Sequence, residues 1–205
     1  MKHLFFWVIL ACFFHASFGG PIYGTAATLE QMQQEAAGIF SVRAEFTQEK
    51  HMKILAKPLV STGVVLFKSP KSIRWEYYKP VRSILMMDDG QVKRFIESDQ
   101  GLVEDLGPAK QIMQFVLQEV TYWLKGKFDN SSNFTARLSG DRTITLTPKE
   151  ESFSRIIERI ELKLSDRPGV MESVKIIENQ DTYTEYTFQK TQVNISLDDA
   201  LFRKI

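Results

Sequence analysis

The strongest constraint in this chain is a change of hydrophobic period. From Ser41 onward, apolar and polar residues alternate in short runs instead of recurring every three or four positions. Val42, Ala44 and Phe46 alternate with Arg43, Glu45 and Thr47. Similar runs cover 53–56, 63–67, 72–78, 83–87 and 91–96, and a second block covers 134–138, 143–147, 156–164, 170–178 and 183–191. Turn-forming residues separate them: Lys57-Pro58, Ser69-Pro70, Lys79-Pro80, Asp88-Asp89-Gly90, Arg167-Pro168-Gly169 and Asn179-Gln180-Asp181. Consecutive strands joined by short turns pair antiparallel. The pattern predicts one antiparallel sheet of about ten strands with one apolar face.

Two stretches break the alternation. Thr28-Leu29-Glu30-Gln31 is a capping box, and Leu29, Met32, Ala36, Ile39 and Phe40 follow at helical spacing. Pro108 suits a first helical turn. After it, Ile112, Phe115, Val116, Leu117, Val120, Trp123 and Leu124 fill a broad apolar face up to Lys125-Gly126. A short 197–202 segment closes the chain. With no repeat or linker in sight, residues 28–205 read as one α+β domain.

Ahead of that domain, Leu4 to Phe14 is an almost unbroken apolar run behind Lys2, and small residues follow it. Residues 1–27 read as a secretory signal peptide, too short in its apolar run to span a membrane. Cleavage after Ala27 and cleavage after Gly19 both fit. Cys12, the single cysteine, sits inside this segment in Ile9-Leu10-Ala11-Cys12, a faint likeness to a lipoprotein processing site. The expected location is therefore an exported compartment, and the mature protein relies on its core rather than on disulfides.

Composition then excludes several kinds of chemistry. Residues 1–27 hold Lys2 and no acid, so the 26 Lys and Arg fall to 25, equal to the 25 Asp and Glu. Nucleic-acid binders normally carry a basic excess, so none is expected as a partner. Of the three His, only His51 lies outside the signal segment. One His without Cys builds neither an ordinary zinc site nor a Cys–His pair. The adjacent acids Asp88-Asp89, Glu104-Asp105 and Glu150-Glu151 fall in turns, where such residues are solvated. No phosphate-cradling glycine motif is present. The reading is therefore no enzyme, no catalytic residues, no metal and no cofactor.

What stands out is the apolar face of the strands. A packed core under the helices and an unfilled hollow are equally compatible with it, although twisted sheets of this size tend to curl. The order of several segments resembles the LolA family of periplasmic lipoprotein carriers. Phe40-Ser41-Val42-Arg43-Ala44-Glu45-Phe46-Thr47-Gln48 is similar to the family's first helix running into a strand. Gly63-Val64-Val65-Leu66-Phe67-Lys68-Ser69-Pro70, then Arg74-Trp75-Glu76-Tyr77 and Pro80, resembles its central signature. Ile84 to Gly90, Leu146-Thr147-Pro148 and Asn194 with Leu201-Phe202 also fit.

The resemblance implies an unclosed antiparallel β half-barrel with helices as a lid over an apolar cavity. It implies acyl chains of lipoproteins or related lipids as cargo, an inner-membrane transporter and an outer-membrane acceptor as partners, a periplasmic location and a monomer. The side chains expected to line the cavity are Phe46, Phe67, Trp75, Tyr77, Leu85, Met87, Phe95, Phe115, Val116 and Val120. Well-known members carry an Arg immediately before the signature Pro as a lid latch, and this chain has Ser69 there. The alternative is a regulatory protein that senses lipid on the same fold, like the family's anti-sigma-factor-binding relatives.

Overall fold

In the computed structural model, which describes residues 28–107, 110–129 and 131–205, the alternating runs pair into a single sheet. The predicted signal peptide with Cys12, and the Pro108 start of the second helix, lie outside the described residues. Eleven strands form the sheet, one more than about ten. They are β1 (Ser41–Met52), β2 (Leu59–Lys68), β3 (Ser72–Lys79), β4 (Ser83–Asp88), β5 (Gln91–Ser98), β6 (Gly101–Glu104), β7 (Phe134–Gly140), β8 (Thr143–Pro148), β9 (Arg159–Leu164), β10 (Met171–Asn179) and β11 (Thr182–Val193).

Their order is β6-β5-β4-β3-β2-β1-β11-β10-β9-β8-β7, and every neighbouring pair is antiparallel. The chain walks outward by hairpins from β1 to the edge strand β6. Helix α2 (Lys110–Leu124) then carries it to the opposite edge, β7, and hairpins lead back to β11 beside β1. The two edges stay unpaired with each other, so the barrel is open and α2 is the connection between its edges.

Two local readings change. Residues 53–56 form a turn rather than a strand, because β1 runs on through its polar half to Met52. That half pairs with both β2 and β11, and ladder bonds need no apolar residues. At the other end, 156–158 precede β9, beside a short helix α3 (Glu151–Ser154) that the sequence reading missed.

Register decides which residues share a face. One face carries Ala44, Val65, Trp75 and Leu85 in a cross-strand row, with Val42, Phe67, Ile73, Met87 and Val92 in the next. The same face continues through Phe188, Tyr186, Val174, Leu162 and Ile144 on the other arm. Helix α1 (Leu29–Ala37) and α2 cover it. The capping box forms at α1, with Gln31 N–H donating to Thr28 Oγ1 at 3.2 Å and Thr28 N–H to Gln31 Oε1 at 2.8 Å. Met32 and Ala36 are buried against the β7–β9 arm.

The opposite face is closed differently. After β11, the chain folds back over β2–β4, and Leu197 and Phe202 pack on Val64 and Leu66. Arg74 donates to the carbonyls of Leu201 at 3.1 Å and Lys204 at 2.7 Å, while pairing with Glu76 at 2.8 Å. Glu76 also accepts from Arg82 at 2.9 Å. The buried Arg74 and Glu76 thus compensate each other, as buried charges must.

Candidate functional site

Between the covered face and α2 lies an apolar hollow of about 160 Å³. Both arms of the sheet contribute to it, through Val65, Trp75, Tyr77 and Leu85 on one side and Val174, Ile176, Tyr186 and Phe188 on the other. This shared wall requires the sheet to curl. From above, α2 supplies Val116, Leu117, Val120, Trp123 and Leu124. Among the described residues, none that lines it carries a formal charge. Val116 remains 45% exposed, so the hollow reaches solvent along that side of the helix.

Of the side chains expected from sequence to line a cavity, Trp75, Tyr77, Leu85, Val116 and Val120 border this one. Phe46, Phe67 and Met87 lie on the same face but pack behind it. Phe67 is fully buried among Ile39, Val42 and Ile73. Phe46 sits beneath the aromatic wall, with ring centroids 5.1 Å from both Trp75 and Tyr77 and 6.1 Å from Tyr186. Its ring lies over Gly63, where an added Cβ would come 2.7 Å from the ring and 2.0 Å from the Glu76 carbonyl oxygen. Only a residue without a side chain allows that approach.

Phe95 and Phe115 are elsewhere. Asp89 and Gly90, with φ of 46° and 82°, make a two-residue turn that sets Met87 opposite Val92 and Ile84 opposite Phe95. Phe95 is therefore on the far face with Ile84. Phe115 turns toward the β7 edge and stacks on Phe153 at 5.1 Å. Among the lining residues missed, Tyr186, Phe188, Val174 and Ile176 lie at alternate positions in the second block. The same period-two rule that selected Trp75 and Tyr77 would have found them.

Polar groups at the site are few. Tyr77 Oη donates to Gln48 Oε1 at 2.8 Å and lies 3.5 Å from Tyr186 Oη. Burial pushes the Tyr77 phenol above its ordinary pKa and the Tyr186 phenol well above it, so both stay protonated. Among the described residues, the buried indole N–H groups of Trp75 and Trp123 have no hydrogen-bond partner. On the far side of α2, Glu119 is 3% exposed and accepts from Ser131 Oγ and Asn133 Nδ2, both at 3.0 Å. This tie fastens the middle of the helix to the turn before β7. At its C-terminal end, Lys125 Nζ reaches the Pro70 carbonyl at 3.4 Å, beside Ser69. Among the described residues, no group of three or more His, Cys, Asp or Glu side chains is placed to hold a metal ion.

Comparison with known proteins gives a consistent result. The family model described as outer membrane lipoprotein carrier protein LolA matches residues 37–204. An outer-membrane lipoprotein carrier protein of Cupriavidus taiwanensis is 26% identical over 212 residues, spanning 96% of this chain and 92% of the relative. One of Dechloromonas aromatica is 26% identical over 190 residues, spanning 89% and 86%. A crystal structure of MucB superposes with a TM-score of 0.50 at 16% identity, covering 89% of this chain and 64% of that one. A LolA superfamily protein from Nitrosomonas europaea gives 0.45 at 10% identity, covering 87% and 99%.

Proposed function

Because the chain belongs to the LolA family of outer membrane lipoprotein carrier proteins, we propose that it is a periplasmic, non-catalytic carrier that holds acyl chains in the hollow beneath α2. The observation that carries this reading is the hollow itself, an uncharged space walled by both arms of an open sheet. An acyl chain gains about 0.8 kcal/mol for each methylene withdrawn from water, so it does not cross an aqueous compartment unaided. A carrier supplies that burial and later withdraws it.

Size sets the mechanism. An apolar cavity of about 150 Å³ accommodates benzene. The 160 Å³ here is of that order, far short of a long acyl chain, so the structure corresponds to a closed state. Loading moves α2 outward from the sheet and fills the enlarged space with hydrocarbon. In such motion the helix swings about its buried Glu119 tie to the turn before β7. It presents Leu117 and Trp123 inward, yet the contact of Lys125 with the Pro70 carbonyl, the tie next to Ser69, is long and exposed. The cargo is an acylated lipoprotein or a related lipid, collected at one membrane and delivered toward the outer one. The likeness to MucB concerns the fold alone.

The test is extraction. Protein exported with its signal segment and purified without detergent carries acylated lipid detectable by mass spectrometry. Val120→Trp, which fills the hollow, lowers the bound lipid at least severalfold while far-ultraviolet circular dichroism is retained. Equal lipid content in the two proteins counts against the placement of the site.

A further inference from the structure

The wall of the hollow is rich in hydrogen-bond donors and poor in acceptors. Among the described residues Trp75 Nε1 is buried without a partner at hydrogen-bond distance, its nearest acceptor being the already committed Tyr77 hydroxyl. The Tyr77 proton is committed to Gln48 at 2.8 Å, so Tyr77 meets Tyr186 as an acceptor. That leaves the Tyr186 hydroxyl with a single contact at 3.5 Å, well outside the roughly 2.7–2.8 Å usual for such bonds. Buried donors are nearly always satisfied, and each one left over costs about 1–3 kcal/mol. Two under-used donors side by side in an apolar wall therefore call for an acceptor from outside.

These groups form one cluster. The Trp75 and Tyr186 rings meet edge to face at 5.5 Å, and Phe46 backs both. Burial keeps the Tyr186 phenol protonated and hence able to donate. Among the described residues, no lysine or arginine borders the hollow. An ionised carboxylate placed here would be buried without a countercharge, which is strongly unfavourable. A neutral carbonyl oxygen meets the donors at no such penalty.

We propose that the Trp75 indole N–H and the Tyr186 hydroxyl form a recognition site for the ester or amide carbonyl at the head of an acyl chain held in the hollow. This rests on the reading of the hollow as an acyl site and adds a direction to it. The carbonyl lies at the Tyr186 end, opposite Gln48 in the β1–β11 register, and the tail runs toward Val42 and Val193 at the other end of the same strand pair. An ester-linked or amide-linked acyl chain is selected over a free fatty acid of equal length.

The experiment uses the purified protein and displacement of a fluorescent naphthylamine probe by three ligands of matched length: methyl palmitate, hexadecyl methyl ether and palmitate at pH 8. The ester binds roughly 3- to 10-fold more tightly than the ether, the gain from one net hydrogen bond, and palmitate binds no better than the ether. Tyr186→Phe and, separately, Trp75→Phe bring the ester-to-ether ratio toward one. A ratio near one in the unaltered protein, a ratio unchanged in both variants, or tightest binding by palmitate overturns the assignment. Displacement by none of the ligands contradicts the acyl reading of the hollow itself, and the carbonyl site falls with it.

Discussion

Strands β7–β9 and strands β2–β4 carry the same alternating pattern, yet the first set packs solidly and the second borders the hollow. On the β7–β9 arm, Phe134, Ile144, Leu146, Leu162 and Leu164 are essentially inaccessible, packed beneath Met32, Ala36 and Trp123. On the β2–β4 arm, Trp75, Tyr77 and Leu85 stop short of full burial and face the empty space. The difference lies in what covers each arm. Helix α1 and the C-terminal half of α2 fill the first, whereas α2 alone spans the second. Alternation thus fixes which face is apolar, and the number of elements above that face decides whether it packs or encloses.

The largest consequence is an asymmetry in mutational cost. Leu162→Ala, in the solid arm, lowers stability by about 2–5 kcal/mol in urea denaturation, since a new void opens in close-packed surroundings. Leu85→Ala, beside a void that already exists, costs about 1.5–2 kcal/mol on the same measurement, roughly its transfer energy without a cavity cost. Equal losses at the two positions would erase the distinction between the arms. A smaller effect tests how the aromatic wall is seated. Gly63→Ala drives a Cβ into the Phe46 ring and the Glu76 carbonyl, and destabilises by about 1–3 kcal/mol. Gly63→Ala combined with Phe46→Leu relieves the ring clash but not the backbone one, so stability recovers only in part.

The smallest effect is on pH dependence and belongs to the covered arm. A hydrogen bond from Arg142, followed by one from the Gly169 N–H, holds the Glu35 carboxyl below its ordinary pKa of 4.5. A carboxyl depressed in the folded state contributes stability above its unfolded pKa and loses it as pH falls through the folded value. The urea midpoint therefore drops as pH is lowered below 4.5, and Glu35→Gln makes that drop shallower. Asp88, held down by Ser72 and then Arg203, shifts the same way and leaves a residual slope in the variant. A steeper drop in Glu35→Gln would contradict the role of that ion pair in fastening α1 to the solid arm.

Much of this was legible in the sequence for specific reasons. The capping box at Thr28, the Asp89-Gly90 turn and the hairpin spacing are local signals, and each appears in the fold as read. Trp75, Tyr77 and Leu85 were found because three adjacent hairpins keep their register. Phe95 was placed on the wrong face because the residues across the two-residue turn were not counted: pairing Asp88 with Gln91 puts Val92 and Arg94, not Phe95, beside Met87 and Leu85. Phe46, Phe67 and Met87 share the correct face, but their depth depends on Gly63 and on the covering elements, which no local pattern encodes. Strand β6, four residues long and mostly exposed, leaves almost no hydrophobic trace. The C-terminal strap is held chiefly by Arg74 and by Leu197 and Phe202, contacts about 130 residues apart that arise only in three dimensions.

The most direct test of the hollow as an acyl site is photo-crosslinking with a lipopeptide that carries a diazirine near the tail of its acyl chain. Labelled peptides containing Trp75, Leu85 or Val120, with none from the solid arm around Ile144 and Leu162, are the expected result. Label confined to the exposed turn at Ile54 and Leu55, to the C-terminal strap or to the β7–β9 arm would show that hydrocarbon does not enter beneath α2.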